Sequence, residues 1–430
     1  MKKIITMLLS ALLLCLLVTA LASCGGDSME TVTLNVYNWG QYISDGSEGS
    51  YDTNSAFEEY WNENLAEQYG YRISINYSTY ASNEDMYNKM VSGSAKYDVI
   101  FPSDYMIERL ANEDMLYAFN PAETVENYQY IDDSFRHLFF DPDDLYSVPY
   151  AYGVVGIIYN TDYVSEDSEG FGTWNLMWNE EYRSKILQFN NPRDAFGTAL
   201  YRLGYDVNTT NRAEWDAALE ALKQQKPLVQ SYVMDEIFNK MSSSSAWISS
   251  YYTGDFLTMY WDNDSLGFYY PEDGTNVYVD SMCIPKNAEH KDAAIEYINF
   301  MLSEEPAVAN AEYTCYATPN RLVYENEEYI EYLEDCYEGA YDLLYCPIDM
   351  ITPDTDYSDT SIVHVSYYHA IENTEENGFL LNYTNDLWET LKIEDDGATW
   401  VYVTAAAAVT LLLGWAVYAF LVRRRRESQY

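Results

Sequence analysis

The chain has 430 residues, with 23 Lys and Arg against 69 Asp and Glu, which gives a formal net charge of −46. A nucleic-acid-binding protein needs a basic surface, so this charge excludes that class and we expect no nucleic acid partner. Hydrophobic residues make up 48% of the chain and aromatic residues 16%, which argues against an acidic disordered chain and predicts a large folded core.

The first 23 residues have the pattern of a lipoprotein signal peptide. Lys2 and Lys3 precede a long apolar run, and small residues lead to Cys24 in the order Leu-Ala-Ser-Cys. This quartet resembles a bacterial lipobox, so we predict that Cys24 is lipidated and that residues 24–30 form a lipidated tether. The alternative is an ordinary cleaved signal peptide followed by a chance cysteine.

After the tether, strand patterns and helix patterns alternate along the chain. Strand patterns occur at 31–37, 71–77, 97–101, 154–159 and 185–189, and helix patterns at 55–69, 83–90, 215–225 and 292–302. Such alternation predicts an α/β fold with parallel strand pairing.

Residues 398–422 carry no charged side chain and are long enough to cross the hydrocarbon core of a bilayer. Four consecutive arginines follow, and the positive-inside rule makes residues 423–430 a cytoplasmic basic tail. We therefore expect the rest of the protein at the extracytoplasmic face of the cell membrane, held by the lipid at Cys24 and by a transmembrane helix. A buried helix of the folded domain is the alternative for residues 398–422.

Catalytic and metal-binding motifs are absent from the sequence. There is no G-x-S-x-G elbow, Walker A loop, H-E-x-x-H motif or dinucleotide fingerprint. His364 and His369 are five residues apart, which keeps them off a shared helical face, and the cysteine spacing matches no zinc pattern. Cys336 and Cys346 either form a disulfide or remain buried thiols. We expect no enzyme, cofactor or metal site.

Aromatic residues stand beside acidic and turn-forming residues in four places. These groups are Tyr37–Tyr42, Ser103–Tyr105, Asn191–Asp194 and Tyr278–Ser281, and the first three follow predicted strands. In open α/β sheets the ligand-binding loops lie at the carboxyl ends of strands. Aromatic faces attract cations and carboxylates bind ammonium groups, so these loops predict a site for an organic amine.

The same segments resemble the spermidine/putrescine-binding proteins of bacterial polyamine ABC transporters. The shared motifs run in one order from Leu34 to Arg321: Tyr37-Asn38-Trp39, Tyr77-Ser78-Thr79-Tyr80, Tyr97-Asp98-Val99, Ser147-Val148-Pro149-Tyr150, Asp280-Ser281, Tyr297-Ile298-Asn299-Phe300 and Thr318-Pro319-Asn320. The resemblance implies a type II periplasmic-binding-protein-like fold whose two lobes close on a polyamine about a hinge. Lobe 1 would contain residues 31–153 and 280–320, and lobe 2 residues 154–279 and 321–393.

The resemblance also implies a set of ligand-binding side chains. These are Trp39, Gln41, Tyr42, Ser103, Tyr105, Asn191, Asp194, Trp247, Tyr278, Asp280 and Tyr316, with Asp280 as the main carboxylate. Asn191 stands where relatives carry an acid, which leaves Asp194 and Asp280 as the two expected acids of the cleft. Because a trivalent ligand would be less well neutralised, we expect putrescine or a similar diamine to compete well with spermidine.

The expected function is therefore capture of a polyamine outside the cell and its delivery to an ABC transporter permease. Two alternatives remain at this point. A membrane-anchored amine sensor would use the same cleft, and an exported hydrolase would use paired carboxylates as catalysts.

Overall fold

Two long strands, β4 (Ser147–Asn160) and β9 (Thr275–Cys283), form the centre of the fold. They pair antiparallel, from Ser147 opposite Cys283 to Val154 opposite Val277. The computed structural model of the protein describes residues 29–345, 364–375 and 378–393.

The remaining strands in the described residues are short or medium in length. They are β1 (Glu30–Trp39), β2 (Tyr71–Tyr80), β3 (Val99–Ile100), β5 (Ile186–Phe189), β6 (Val229–Val233), β7 (Ile248–Tyr252), β8 (Leu266–Tyr269) and β10 (Val365–Ser366).

Helices cover both faces of this sheet. They are α1 (Thr53–Tyr60), α2 (Ala66–Tyr69), α3 (Asn83–Val91), α4 (Asp104–Asn112), α5 (Pro121–Thr124), α6 (Pro192–Arg202), α7 (Arg212–Gln225), α8 (Glu236–Ser242), α9 (Thr253–Asp262), α10 (Lys291–Met301), α11 (Glu304–Thr314), α12 (Arg321–Tyr324), α13 (Glu327–Cys336), α14 (Ala340–Tyr345) and α15 (Leu380–Ile393). The helix predicted at 55–69 is confirmed as α1 and α2, which a π-helical turn at Trp61–Leu65 joins.

The strands follow the order β2-β1-β3-β9-β4-β7-β5-β6, with β10 on β9 and β8 on β4. In the first half-sheet, β1 pairs in parallel with β2 and β3. In the second half-sheet, β5 pairs in parallel with β6 and β7. Because β4 pairs with β9 near its start and with β7 and β8 near its end, it runs through both halves and connects them.

The α/β prediction is confirmed, but the predicted strand at 154–159 was too short. The strand begins at Ser147 and is buried along its whole length. Pro149 and Gly153 lower the local strand propensity, so the early part of β4 does not stand out in the sequence. Pro149 lies at a register shift in the pairing with β9, where a missing N–H is tolerated.

Several sequence predictions lie outside the described residues. These are the signal peptide 1–23, the lipidation site Cys24, the tether up to residue 28, the transmembrane helix 398–422, the tail 423–430 and Cys346. Within the described ranges, no helix combines the length and apolar character needed to cross a membrane. The thiols of Cys283, Cys315 and Cys336 are free there, and the first two are buried.

Candidate functional site

A cleft lies where the carboxyl ends of the parallel strands of both half-sheets meet. It contains about 800 Å³ of space not filled by protein atoms, open solvent included. Residues that directly follow strands supply most of its lining: Gly40 and Tyr42 after β1, Ser82 to Glu84 after β2, Ser103 to Tyr105 after β3, Asn191 and Asp194 after β5, Met234 and Asp235 after β6, and Asp255 after β7. This is the position at which open α/β sheets bind ligands.

The long strand β9 contributes alternate residues to the cleft. Asn276, Tyr278 and Asp280 line it, because side chains two residues apart in a strand point to the same face. Ser281 N donates to the carbonyl of Pro102 at 3.0 Å, which holds the loop after β3 against β9. Segments that are distant in the sequence are thereby held together beside Asp280.

Asp280 is a buried carboxylate with one oxygen held and the other open. Its side chain is 5% exposed, and Oδ2 accepts a hydrogen bond from the hydroxyl of Tyr42 at 2.6 Å. Oδ1 is buried and accepts no hydrogen bond from the described residues. Burial raises the pKa of Asp280 to about 6, while the nearby hydroxyl of Ser103 and the hydrogen bond from Tyr42 oppose this and the charge of Asp194 adds to it. A buried carboxylate oxygen without a partner is a site for a cation.

Asp194 is held by two side chains of the second half-sheet. Its Oδ2 accepts from the hydroxyl of Tyr252 and from Nδ2 of Asn191, both at 2.7 Å. Asn191 is the N-cap of α6, and its Oδ1 accepts from Asp194 N at 2.8 Å. Asn191 therefore caps the helix and orients Asp194. Burial raises the pKa of Asp194, although these hydrogen bonds oppose the change.

Two further carboxylates of the cleft repeat the pairing with tyrosine. The hydroxyl of Tyr316 donates to Asp255 Oδ2 at 2.7 Å, and the hydroxyl of Tyr105 donates to Glu84 Oε1 at 3.0 Å. Burial raises the pKa of Asp255 to about 7, with a smaller contribution from Asp235. Each of these two carboxyl groups thus receives a hydrogen bond from a neutral donor, which adds no positive charge to the cleft.

The tyrosine rings also form the walls of the cleft. The rings of Tyr42 and Tyr316 lie 5.0 Å apart in an edge-to-face arrangement, and those of Tyr252 and Tyr278 lie 5.2 Å apart. Trp39 closes one side, and its Nε1 donates to the carbonyl of Phe101 at 2.8 Å. These rings offer faces to a cation and apolar contact to an alkyl chain.

The structure brings nine of the eleven predicted side chains together in this cleft and leaves two outside it. Gln41 is an exposed residue with a left-handed φ of 51°, and it does not line the cleft. Trp247 precedes β7 and lies at the amino end of that strand, where its ring stacks on Tyr163 at 4.5 Å. The carboxyl end of β7 faces the cleft instead, and Tyr252 at that end lines it.

More acidic residues line the cleft than the two that the sequence analysis expected. In the part of the chain that the structure describes, six carboxyl groups line it, those of Glu84, Asp104, Asp194, Asp235, Asp255 and Asp280, and no Lys, Arg or His does. Asp255 lies three residues after β7. The sequence analysis did not predict β7 or the loop that follows it, because a serine-rich segment precedes the strand. Tyr368 joins the lining from a segment far along the chain, which no local pattern indicates. Among the described residues, no cluster of side chains suits a metal ion.

Comparisons with known proteins agree with this geometry. The profile of the bacterial extracellular solute-binding protein family matches residues 58–334. The chain belongs to this family. The spermidine/putrescine-binding periplasmic proteins of Salmonella typhimurium and Escherichia coli are 31% and 30% identical over 302 residues, which cover 70% of this chain and 81% of theirs.

Solved structures show the same similarity in three dimensions. A protein of Listeria monocytogenes assigned to a spermidine/putrescine ABC transporter is 32% identical, with a TM-score of 0.69 over 84% of this chain and 99% of its own. The spermidine/putrescine substrate-binding protein of Streptococcus pneumoniae is 29% identical, with a TM-score of 0.60 over 84% and 98% of the two chains. These relatives are solute-binding proteins, and this chain is likewise a binding protein and not an enzyme.

Proposed function

We propose that the protein binds a polyamine such as putrescine or spermidine in the cleft and delivers it to the permease of an ABC transporter. The observation that supports this most directly is the lining of the cleft, six carboxyl groups and several tyrosine rings without one basic side chain. Such a lining favours cations, because each ammonium group gains a charge-assisted hydrogen bond and a ring face. The polyamine names of the relatives compared above support the same ligand class.

The number of carboxyl groups in the cleft does not favour a diamine over a triamine. The expectation of a preference for putrescine assumed a cleft with only Asp194 and Asp280. Asp255 and Asp235 add carboxylates at the end of the cleft near Tyr316 and Gly40. The charge of a triamine therefore has enough counter-charges, and we propose both polyamines as ligands.

Closure about a hinge would follow from the course of β4 and β9. We propose lobes at 31–153 with 280–320 and at 154–279 with 321–393, since β4 changes its pairing partner from β9 to β7 at residues 154 and 155, next to the first boundary. The cleft between them takes residues from both sides, for example Asp280 and Asp194. Lipidation at Cys24 and the helix at 398–422 would keep the closed protein beside its permease. Truncation after Asp396 should then release the protein from membranes only when Cys24 is also replaced.

Calorimetric titration of the full-length chain in detergent micelles tests the ligand class. We expect saturable binding of putrescine and of spermidine at one site. The matched control is 1,4-butanediol, which keeps the carbon chain of putrescine and replaces both ammonium groups by hydroxyls. Equal heats for the diol and the diamine, or no heat with either amine, would contradict the proposal. An anchored sensor would give the same titration, so recovery of a permease with the crosslinked protein separates transport from sensing.

A further inference from the structure

Residues 364–371 pack against both proposed lobes, and we call them the crossing segment. Their strand β10 pairs in parallel with β9 at Thr275 and Asn276. Thr275 N also donates to the carbonyl of His364 at 2.8 Å. Because this part of β9 belongs to the proposed lobe 2, the crossing segment begins on that lobe.

Two side chains of lobe 2 hold the middle of the crossing segment. Asn208 Nδ2 donates to the carbonyl of Tyr367 at 2.8 Å, and Asn208 Oδ1 accepts from His369 N at 2.8 Å. Arg193 Nη2 donates to the carbonyl of His369 at 3.2 Å. The guanidinium carbon of Arg193 also lies 4.4 Å from the centre of the Tyr368 ring. The backbone on both sides of Tyr368 is therefore attached to lobe 2.

The end of the crossing segment contacts lobe 1. Ala370 N donates to Oε2 of Glu108 on α4 at 2.7 Å, and His369 Nδ1 lies 3.6 Å from the same oxygen. The ring of Phe139, which precedes β4, lies 4.3 Å from the ring of His369 and 5.2 Å from that of Tyr367. Glu108 and Phe139 both belong to the proposed lobe 1. A segment held by lobe 2 thus joins the two lobes away from the strands β4 and β9.

The same segment supplies part of the wall of the ligand cleft. Tyr368 lines the cleft and is 4% exposed. Its ring lies 6.4 Å from the ring of Tyr105 in an edge-to-face arrangement, and Tyr105 also lines the cleft. Tyr105 and Glu108 are three residues apart on α4, but Glu108 does not line the cleft. Glu108 can therefore affect a ligand through the position of Tyr368.

Opening of the cleft about a hinge has to separate the crossing segment from one of the two lobes. Lobe 2 holds it by strand pairing with β9 and by the contacts of Asn208 and Arg193. Lobe 1 holds it by one backbone hydrogen bond to Glu108, the adjacent imidazole and the ring of Phe139. The weaker attachment is the one to lobe 1, so the segment stays on lobe 2 and leaves Glu108 when the cleft opens.

We propose that the crossing segment is a latch that holds the cleft closed, with Glu108 as its attachment point on lobe 1. A ligand enters while the bond between Ala370 N and Glu108 is broken, and re-formation of this bond places Tyr368 against the bound ligand. Glu108 is thus a positioning residue that slows ligand release without touching the ligand. This inference rests on the proposed binding of an amine between two closing lobes, and it adds the contact that retains the ligand.

The rates of putrescine binding to the full-length Glu108→Ala chain in detergent micelles test the inference. Stopped-flow fluorescence measures them, since Trp39 lines the cleft. A ligand leaves from the open form, so loss of a closing contact speeds dissociation and does not slow association. For one hydrogen bond to a charged acceptor we expect dissociation about tenfold faster than in the wild type. Dissociation less than about threefold faster, or slower association, overturns the inference.

The matched control is Glu113→Ala, at the end of the same helix. Glu113 accepts from Arg109 Nε at 3.0 Å and from the hydroxyl of Tyr87 at 2.6 Å, and all three residues belong to the proposed lobe 1. Its removal disturbs α4 without touching the crossing segment, so the dissociation rate should change by less than about twofold. An increase as large as that in Glu108→Ala would assign the effect to a loosened helix and overturn the inference.

Hydrogen exchange of the wild-type chain tests the latch without a substitution. The amide of Ala370 is protected by Glu108 in the closed form and exchanges when the latch opens. Saturating putrescine should therefore slow exchange of the amides at 369–371 at least about threefold, and 1,4-butanediol should not. Exchange that putrescine slows by less than this overturns the inference and leaves the proposed function standing. Failure of putrescine to bind the wild-type chain would overturn the proposed function and this inference with it.

Discussion

Replacement of Asp280 by asparagine should change ligand affinity and protein stability in opposite directions. In the ligand-free protein the carboxylate is 5% exposed, receives one hydrogen bond from Tyr42, and has no partner on Oδ1. Asparagine keeps the shape and the acceptor for Tyr42 but removes the buried charge. We therefore expect Asp280→Asn to stabilise the ligand-free protein at neutral pH and to weaken polyamine binding.

The stability effect follows from the pKa of Asp280. Its ordinary value is 3.8 and its value in the folded protein is about 6. Because the folded state binds the proton more tightly than the unfolded chain, the contribution of this group to stability is complete below pH 3.8 and is lost as the pH rises through about 6. Each pKa unit is worth about 1.4 kcal/mol, so the variant should gain up to about 3 kcal/mol in free energy of unfolding at pH about 7.5, and much less near pH 4.

The effect on binding has the opposite sign and a similar size. Removal of one partner from a buried charge pair costs about 2 to 5 kcal/mol, which corresponds to at least about thirtyfold in affinity. A ligand at a thousand times its dissociation constant stabilises a protein by about 4 kcal/mol. If the variant binds about a hundredfold more weakly, the same putrescine concentration stabilises it by only about 1.4 kcal/mol.

Urea unfolding of the wild-type and variant chains, with and without putrescine and at two pH values, measures all of these quantities. Asp264→Asn, a change at an exposed aspartate outside the cleft, is the matched control and should alter neither stability nor binding. The reasoning is refuted if Asp280→Asn destabilises the ligand-free protein at neutral pH while putrescine still stabilises it as it does the wild type.

Three further predictions concern the same cleft. A cation binds the ionised carboxylates, and the pKa values of Asp255 and Asp280 are about 7 and about 6. The affinity for putrescine should therefore fall up to about a hundredfold between pH about 8 and pH about 5.5. A constant affinity in calorimetry over this range would contradict the prediction. A Cβ at Gly40 would overlap the carboxylate of Asp235, so Gly40→Ala should weaken binding in the wild-type background. In a double-mutant cycle, Gly40→Ala should weaken binding much less when Asp235→Ala has already removed that carboxylate. Trp247→Ala should leave the dissociation constant within about twofold, since this ring lies outside the cleft.

Sequence patterns predicted the elements whose signals are local. The alternation at 31–37 and 71–77 and the apolar spacing at 292–302 correspond to β1, β2 and α10, because each of these segments buries one face. The cleft residues that directly follow these patterns, such as Tyr42 and Ser103, were also predictable. Their position follows from the rule that loops at the carboxyl ends of parallel strands meet.

The rest of the cleft depends on information that no local pattern contains. The family resemblance implied Trp247 as a wall of the cleft, but this residue precedes β7, and it is the carboxyl end of β7, with Tyr252 and Asp255, that lines the cleft. Tyr368 reaches the cleft because β10 pairs with β9 from a distant part of the chain. Strand direction and long-range pairing therefore decide which aromatic and acidic side chains line the cleft.

Tyrosine combines two physical roles within the cleft. Four carboxylates there receive hydrogen bonds from tyrosine hydroxyls, at 2.6 to 3.0 Å. Lysine or arginine donors would orient the carboxylates equally well, but they would neutralise the charge that a ligand needs. Burial holds the pKa values of these tyrosines well above the usual range, so each phenol remains a neutral donor. The same side chain also presents an aromatic face, so tyrosine fixes the carboxylate, preserves its charge and provides a wall for the cation.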